Sequence, residues 1–132
     1  MSSESKRVLI VDDDEDLVEV TSRFLEANGY SVLKAHNGPD GVRLARQEIP
    51  HLILMDIMMS ERTEGFFAIQ EIRRSPEAAS IPIFVVSALC GHLPDLDIPP
   101  NGGWMAHDLF LSKPVDMTQL LEKIRQRIGR SA

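Results

Sequence analysis

The sequence holds a single cysteine, Cys90, among 132 residues. Without a second thiol an internal disulfide is excluded, and nothing points to an oxidising compartment. Long apolar runs are missing as well. The amino-terminal stretch "MSSESKRVLIV" sets basic residues before an apolar run of four residues that stops at Asp12. Such a run is too short for a signal peptide or a membrane span, so a cytoplasmic location is expected. Positive charge is scarce: 14 Lys and Arg stand against 20 Asp and Glu, a formal net charge of −6. Surfaces that bind nucleic acid or anionic membrane usually carry a basic face, so neither is expected as a partner, and a protein or a cation is favoured. Internal repeats and low-complexity linkers are absent too. At this length and 43% hydrophobic content, one globular domain is predicted over residues 1–132, with its core from about residue 6 to residue 128.

What is present is a series of short apolar runs. "VLIV" from Val8, "HLILM" ending at Met55 and "IFVVS" ending at Ser87 are too short for helices and lack period-two alternation. They are predicted strands, buried on both faces of a parallel sheet. "YSVLKA" is more polar and suits a sheet edge, and "LFLS" supplies a further strand. Helical patterns lie between them. Leu17, Val18, Val20, Phe24 and Leu25 recur at helical spacing before the stop signal Asn28-Gly29. Asn37 can cap a helix carrying Val42, Ala45 and Ile49, closed by Pro50. Phe66, Phe67, Ile69 and Ile72 mark a third helix ending near Pro76. Asp116, with Gln119 three residues on, opens the last, whose stripe is Met117, Leu120, Leu121, Ile124 and Ile128. Strands alternating with helices predict a doubly wound α/β sheet, in which functional groups gather at the carboxyl ends of the strands.

That placement gives a purpose to "VLIVDDDEDL", where a buried strand runs straight into five acidic residues. Asp12, Asp13, Asp56 and Ser87 fall at strand carboxyl ends, and Lys113 follows the last strand. Three carboxylates against one ammonium leave excess negative charge. The simplest compensation is a hard divalent cation held by oxygen ligands, and Mg²⁺ suits one or two carboxylates plus water and phosphate oxygens. Asp14, Glu15 and Asp16 are expected in the first turn of the following helix, where each negative side chain gains about 0.3–1 kcal/mol from the helix dipole.

"VLIVDDDEDL", "LILMDIMM", "VVSA" and "LFLSKP", in this order, closely resemble the receiver domain of bacterial two-component response regulators. The resemblance covers nearly the whole chain. It implies a flavodoxin-like, five-stranded parallel sheet of order 2-1-3-4-5. It also implies a phospho-accepting signalling domain that acts catalytically only on its own phosphorylation and dephosphorylation. Asp56 would be the phospho-acceptor, with Asp12, Asp13 and the carbonyl of Met58 completing a Mg²⁺ site. Ser87 would contact the phosphoryl group, Lys113 would be the family's lysine, and Phe110 the aromatic switch residue. A sensor histidine kinase or phosphotransfer protein would supply the phosphoryl group, and a downstream protein would read the switch. The chemistry agrees, because a carboxylate attacking an anionic phosphoryl donor needs Mg²⁺ and Lys113 to neutralise the equatorial oxygens.

Other functions fit less well. A haloacid-dehalogenase-like phosphatase needs Thr or Val where "DDDED" has an acidic residue, and a calcium loop needs glycine where Leu17 stands. His92 and His107, near Cys90, Asp95 and Asp97, match no zinc spacing. His36 and His51 read as solvated loop residues. The alternative that survives is a receiver-like interaction module that no longer signals by phosphorylation. Two departures from the family stand out. Ser60 replaces the usual proline after the acceptor, with Gly65 nine residues beyond Asp56. The stretch from Gly91 to Gly103 also holds Pro94, Pro99 and Pro100 with Gly102. A proline costs about 3 kcal/mol inside a helix and a glycine about 1, so the helix expected before the fifth strand is predicted to be irregular or missing. Trp104, the only tryptophan, reads as a core plug in preference to a partner anchor. The chain stops four residues after Ile128, so no output domain is expected.

Overall fold

The apolar runs become five parallel strands. In chain order the elements are β1 (Arg7–Val11), α1 (Glu15–Ala27), β2 (Ser31–Ala35), α2 (Gly38–Glu48), β3 (Leu52–Met55), α3 (Glu64–Arg74), β4 (Ile83–Ser87), β5 (Leu109–Ser112) and α4 (Met117–Ile128). This is a computed structural model that describes residues 5–56, 64–87, 109–112 and 115–129, with the backbone alone for residues 64–66, 87, 110 and 112. The stretch in which an irregular or missing helix was predicted, and the loop carrying Ser60, lie outside the described residues. Trp104 does too.

The sheet order is β2-β1-β3-β4-β5, as expected for a doubly wound flavodoxin-like fold. Polarity decides which strands take the centre. Val8 to Val11 of β1 and all of β3 are buried, whereas β2, the polar "SVLKA", sits at the edge with Ser31 and Lys34 exposed. Because side chains alternate across a strand, each central strand feeds two cores. Leu9, Val11, Ile53 and Met55 pack with Ala45 of α2 and Ile69 and Ile72 of α3. Val8, Ile10, Leu52 and Leu54 pack with Val18 and Leu25 of α1 and Leu120 and Ile124 of α4.

Three helix starts are set by side chains. Asp14 accepts from the Leu17 amide at 3.1 Å, Asn37 from the Asp40 amide at 2.8 Å, and Asp116 from those of Thr118 and Gln119 at 2.9 and 3.2 Å. Asp14 is therefore the N-cap of α1 and stands just before the first turn, not in it as its sequence position suggested; Glu15 and Asp16 occupy that turn. An N-cap needs extended backbone and a short acceptor side chain, and Asp14, at φ −83° and ψ 98°, supplies both. One glycine governs how closely α2 approaches the sheet: a Cβ at Gly41 would lie 2.8 Å from a methyl of Val11. The close contact seats α2 on the last residue of β1, directly before Asp12.

Candidate functional site

The site grows out of one rung of the sheet. Val11 of β1 and Met55 of β3 are register partners, so Asp12 and Asp56 leave the sheet side by side. The backbone fixes both. The Asp56 amide donates to the Val11 carbonyl at 2.9 Å, and the Asp12 amide donates to the Ala35 carbonyl at 3.0 Å. Both aspartates are buried, at 5% and 3% relative exposure, while the neighbouring Asp13 is exposed. Carboxylate oxygens of Asp12, Asp13 and Asp56 all lie within 4.8 Å of one another. Asp12 Oδ1 also accepts the Asp14 amide at 3.0 Å, which orients that carboxylate against the start of α1.

Three negative groups at this separation repel one another, and burying two of them removes much of the water that would screen them. A cation reverses the sign of that interaction. The donor set is all oxygen, which suits a hard ion such as Mg²⁺ and offers nothing to a soft one. Asp12, Asp13 and Asp56 would hold such an ion through their carboxylate oxygens, with water in the positions left over.

Three of the predicted site residues, Asp12, Asp13 and Asp56, are thus brought together. Ser87 ends β4 two residues beyond the Met55–Val85 rung, so its backbone stands at the same carboxyl rim. Phe110 lies in β5 opposite Val85. The side chains of Ser87 and Phe110, and the whole of Met58 and Lys113, fall outside the described residues. One neighbour escaped the sequence reading. His36 is exposed, as expected, but its Nδ1 lies 3.4 Å from the Asp12 carbonyl oxygen, on the turn that carries the acidic pair. Its place directly after β2, beside the strand that ends at Asp12, was the available signal.

This fold with an acidic triad at its carboxyl rim defines the receiver class, and comparison with known proteins agrees. A family model described as the response regulator receiver domain matches residues 8–125. The chain is 40% identical to Protein PilH of Pseudomonas aeruginosa over 89% of its own length and 93% of PilH. It is 35% identical to the DNA-binding dual master transcriptional regulator RpaA of Synechocystis sp. over 95% of its length, yet spans only 50% of RpaA. Among solved structures, the receiver domain of the sensor histidine kinase PA1611 from Pseudomonas aeruginosa superimposes with a TM-score of 0.81. That match covers 96% of this chain and 99% of the other at 24% identity, and that structure has a magnesium ion coordinated in its active-site cleft. The chain belongs to the response regulator receiver family.

Proposed function

We propose that this receiver is the phospho-acceptor of a two-component phosphorelay, cytoplasmic and folded as one domain, with Asp56 as the residue modified. The observation that carries the reading is the trio of carboxylates within 4.8 Å, with the acceptor buried at the end of a central strand. An oxygen of Asp56 attacks the phosphorus of a phosphohistidine on a sensor kinase or phosphotransfer protein. The P–N bond breaks, the acyl phosphate forms, and the departing imidazole keeps the electron pair and takes up a proton. Asp12, Asp13, Asp56 and the Met58 carbonyl would hold Mg²⁺; the Mg²⁺ in the PA1611 receiver supports the same ion here. When bound, the ion neutralises charge on the phosphoryl oxygens. Lys113 neutralises the remaining charge and Ser87 donates a hydrogen bond to the phosphoryl group. Movement of Ser87 toward it lets Phe110 turn inward, and a downstream protein reads the new surface.

Incubation with a small phosphoryl donor and Mg²⁺, followed by intact-mass measurement and peptide mapping, tests this. The wild-type protein should gain one phosphoryl group at Asp56, and Asp56→Asn should gain none. Labelling of Asp56→Asn at the wild-type rate would show the acceptor to be elsewhere. A wild-type protein that never labels would favour the phosphorylation-independent interaction module.

A further inference from the structure

The chain around Asp12 holds it at amide, carboxylate and carbonyl alike. Its amide donates to the Ala35 carbonyl at 3.0 Å, its carboxylate accepts the Asp14 amide at 3.0 Å, and its carbonyl oxygen lies 3.4 Å from His36 Nδ1. The first two bonds fix Asp12 itself. The third falls on the peptide group that joins Asp12 to Asp13, because this carbonyl lies in the same rigid plane as the Asp13 nitrogen. Asp13 is the exposed carboxylate of the acidic trio, and burial does not hold it as it holds Asp12 and Asp56. Its direction therefore depends on the peptide plane from which it springs.

His36 stands on a backbone that is itself fixed on both sides. Ala35 before it is buried and is the register partner of Val11, and Asn37 after it caps α2 through the Asp40 amide at 2.8 Å. A carbonyl oxygen accepts and cannot donate, so Nδ1 carries the hydrogen in this contact whatever the state of Nε2. At 3.4 Å and open to water, the bond adds little to the stability of the fold. Its effect is directional. We propose that His36 is a positioning residue of the acidic rim: its Nδ1–H holds the Asp12–Asp13 peptide so that the Asp13 carboxylate meets a divalent cation together with those of Asp12 and Asp56. This role rests on the metal site proposed for that rim. Groups that orient metal ligands without touching the ion change affinity by about 10–100-fold, and one long, exposed bond belongs at the lower end of that range.

A pair of variants of the full chain separates the donor from mere bulk. His36→Leu fills similar space with no donor, and His36→Asn returns an amide N–H to the place of Nδ1. Calorimetric titration with Mg²⁺ should show about tenfold weaker binding in His36→Leu and near wild-type affinity in His36→Asn. In metal-free buffer the Asp12 carbonyl carbon, read by triple-resonance NMR, should move in His36→Leu and return toward its wild-type shift in His36→Asn. The metal-free urea midpoints should agree with wild type, as expected for substitutions at an exposed position. The role of His36 would be overturned, with the metal site intact, if His36→Leu bound Mg²⁺ as tightly as wild type or His36→Asn bound it no better than His36→Leu. A metal-free urea midpoint that fell in step with the affinity would make the contact structural and overturn it equally. Wild-type protein that bound no Mg²⁺ would overturn the metal site itself, and this role with it.

Discussion

The two ends of β1 and β3 solve opposite problems with the same pair of strands. At the amino end Arg7 is met by complementary groups. The Arg7 amide donates to His51 Nδ1 at 2.9 Å, and the His51 amide returns a bond to the Arg7 carbonyl at 2.8 Å. The Arg7 guanidinium reaches the Ile49 carbonyl at 3.2 Å and Glu48 at 3.8 Å. At the carboxyl end, four or five residues away along each strand, three like charges are packed together and two of them are buried. One end is closed on itself. The other gathers like charge at one rim, and it is there that the proposed function places a cation and then a phosphoryl group.

The largest test of this contrast is to supply the cation. Mg²⁺ at a hundredfold excess over its dissociation constant should stabilise the protein by about 2.7 kcal/mol if it binds only the folded state. Asp13→Ala should lose that gain and, with one repulsive charge removed, be more stable than wild type in metal-free buffer; urea denaturation with and without Mg²⁺ checks both. A melting shift that survives in the variant would move the ion away from this rim. Next comes Gly41→Ala, which a helix interior ordinarily welcomes by about 1 kcal/mol. Here the new Cβ would sit 2.8 Å from Val11, and overpacking of that kind costs about 1–3 kcal/mol, so a net loss is expected. Because Val11 leads into Asp12, Mg²⁺ affinity measured by calorimetry should fall with it.

The closed end offers a change of opposite sign. Ile49 caps α2 at φ 46°, a left-handed conformation that a β-branched residue adopts only at a cost of about 1–2 kcal/mol, and it is 38% exposed. Ile49→Asn should therefore raise thermal stability modestly and leave Mg²⁺ affinity unchanged. The smallest effect is expected away from both ends. Glu19 of α1 is held below the usual carboxylate range first by its hydrogen bond to Arg23 and then by Lys34 of β2. A lowered value means that the stabilisation is complete above the unfolded carboxyl value and disappears as pH falls through the folded one. Glu19→Gln should flatten that acid limb of the urea-midpoint profile slightly, giving the baseline of an ordinary surface ion pair.

Much of this was legible before any coordinates. "VLIV" and "LILM" lack alternation because both faces of β1 and β3 are covered, and that pattern both centres them in the sheet and puts Asp12 and Asp56 on one rim. Asn37 and Asp116 announced their helices because a cap acts within three residues. The rest depends on partners distant in sequence. His51 reads as a loop histidine until Arg7, 44 positions earlier, is placed beside it. The Gly41–Val11 contact is set by side-chain volumes across packed elements, which no local period encodes. Asp14 was misplaced by one position because a cap and a first-turn acid favour the same residue types.

The central position of β1 has a consequence for amide exchange. Val8 to Val11 are flanked by β2 on one side and β3 on the other and covered by helices on both faces. Local fraying cannot expose such a strand, so its amides exchange with deuterium only when the whole cooperative unit opens. Any ligand of the carboxyl rim must then slow exchange at Val8, at the far end of the strand, by the same factor as at Val11. A strand that touches the site at one end reports its occupancy along its full length.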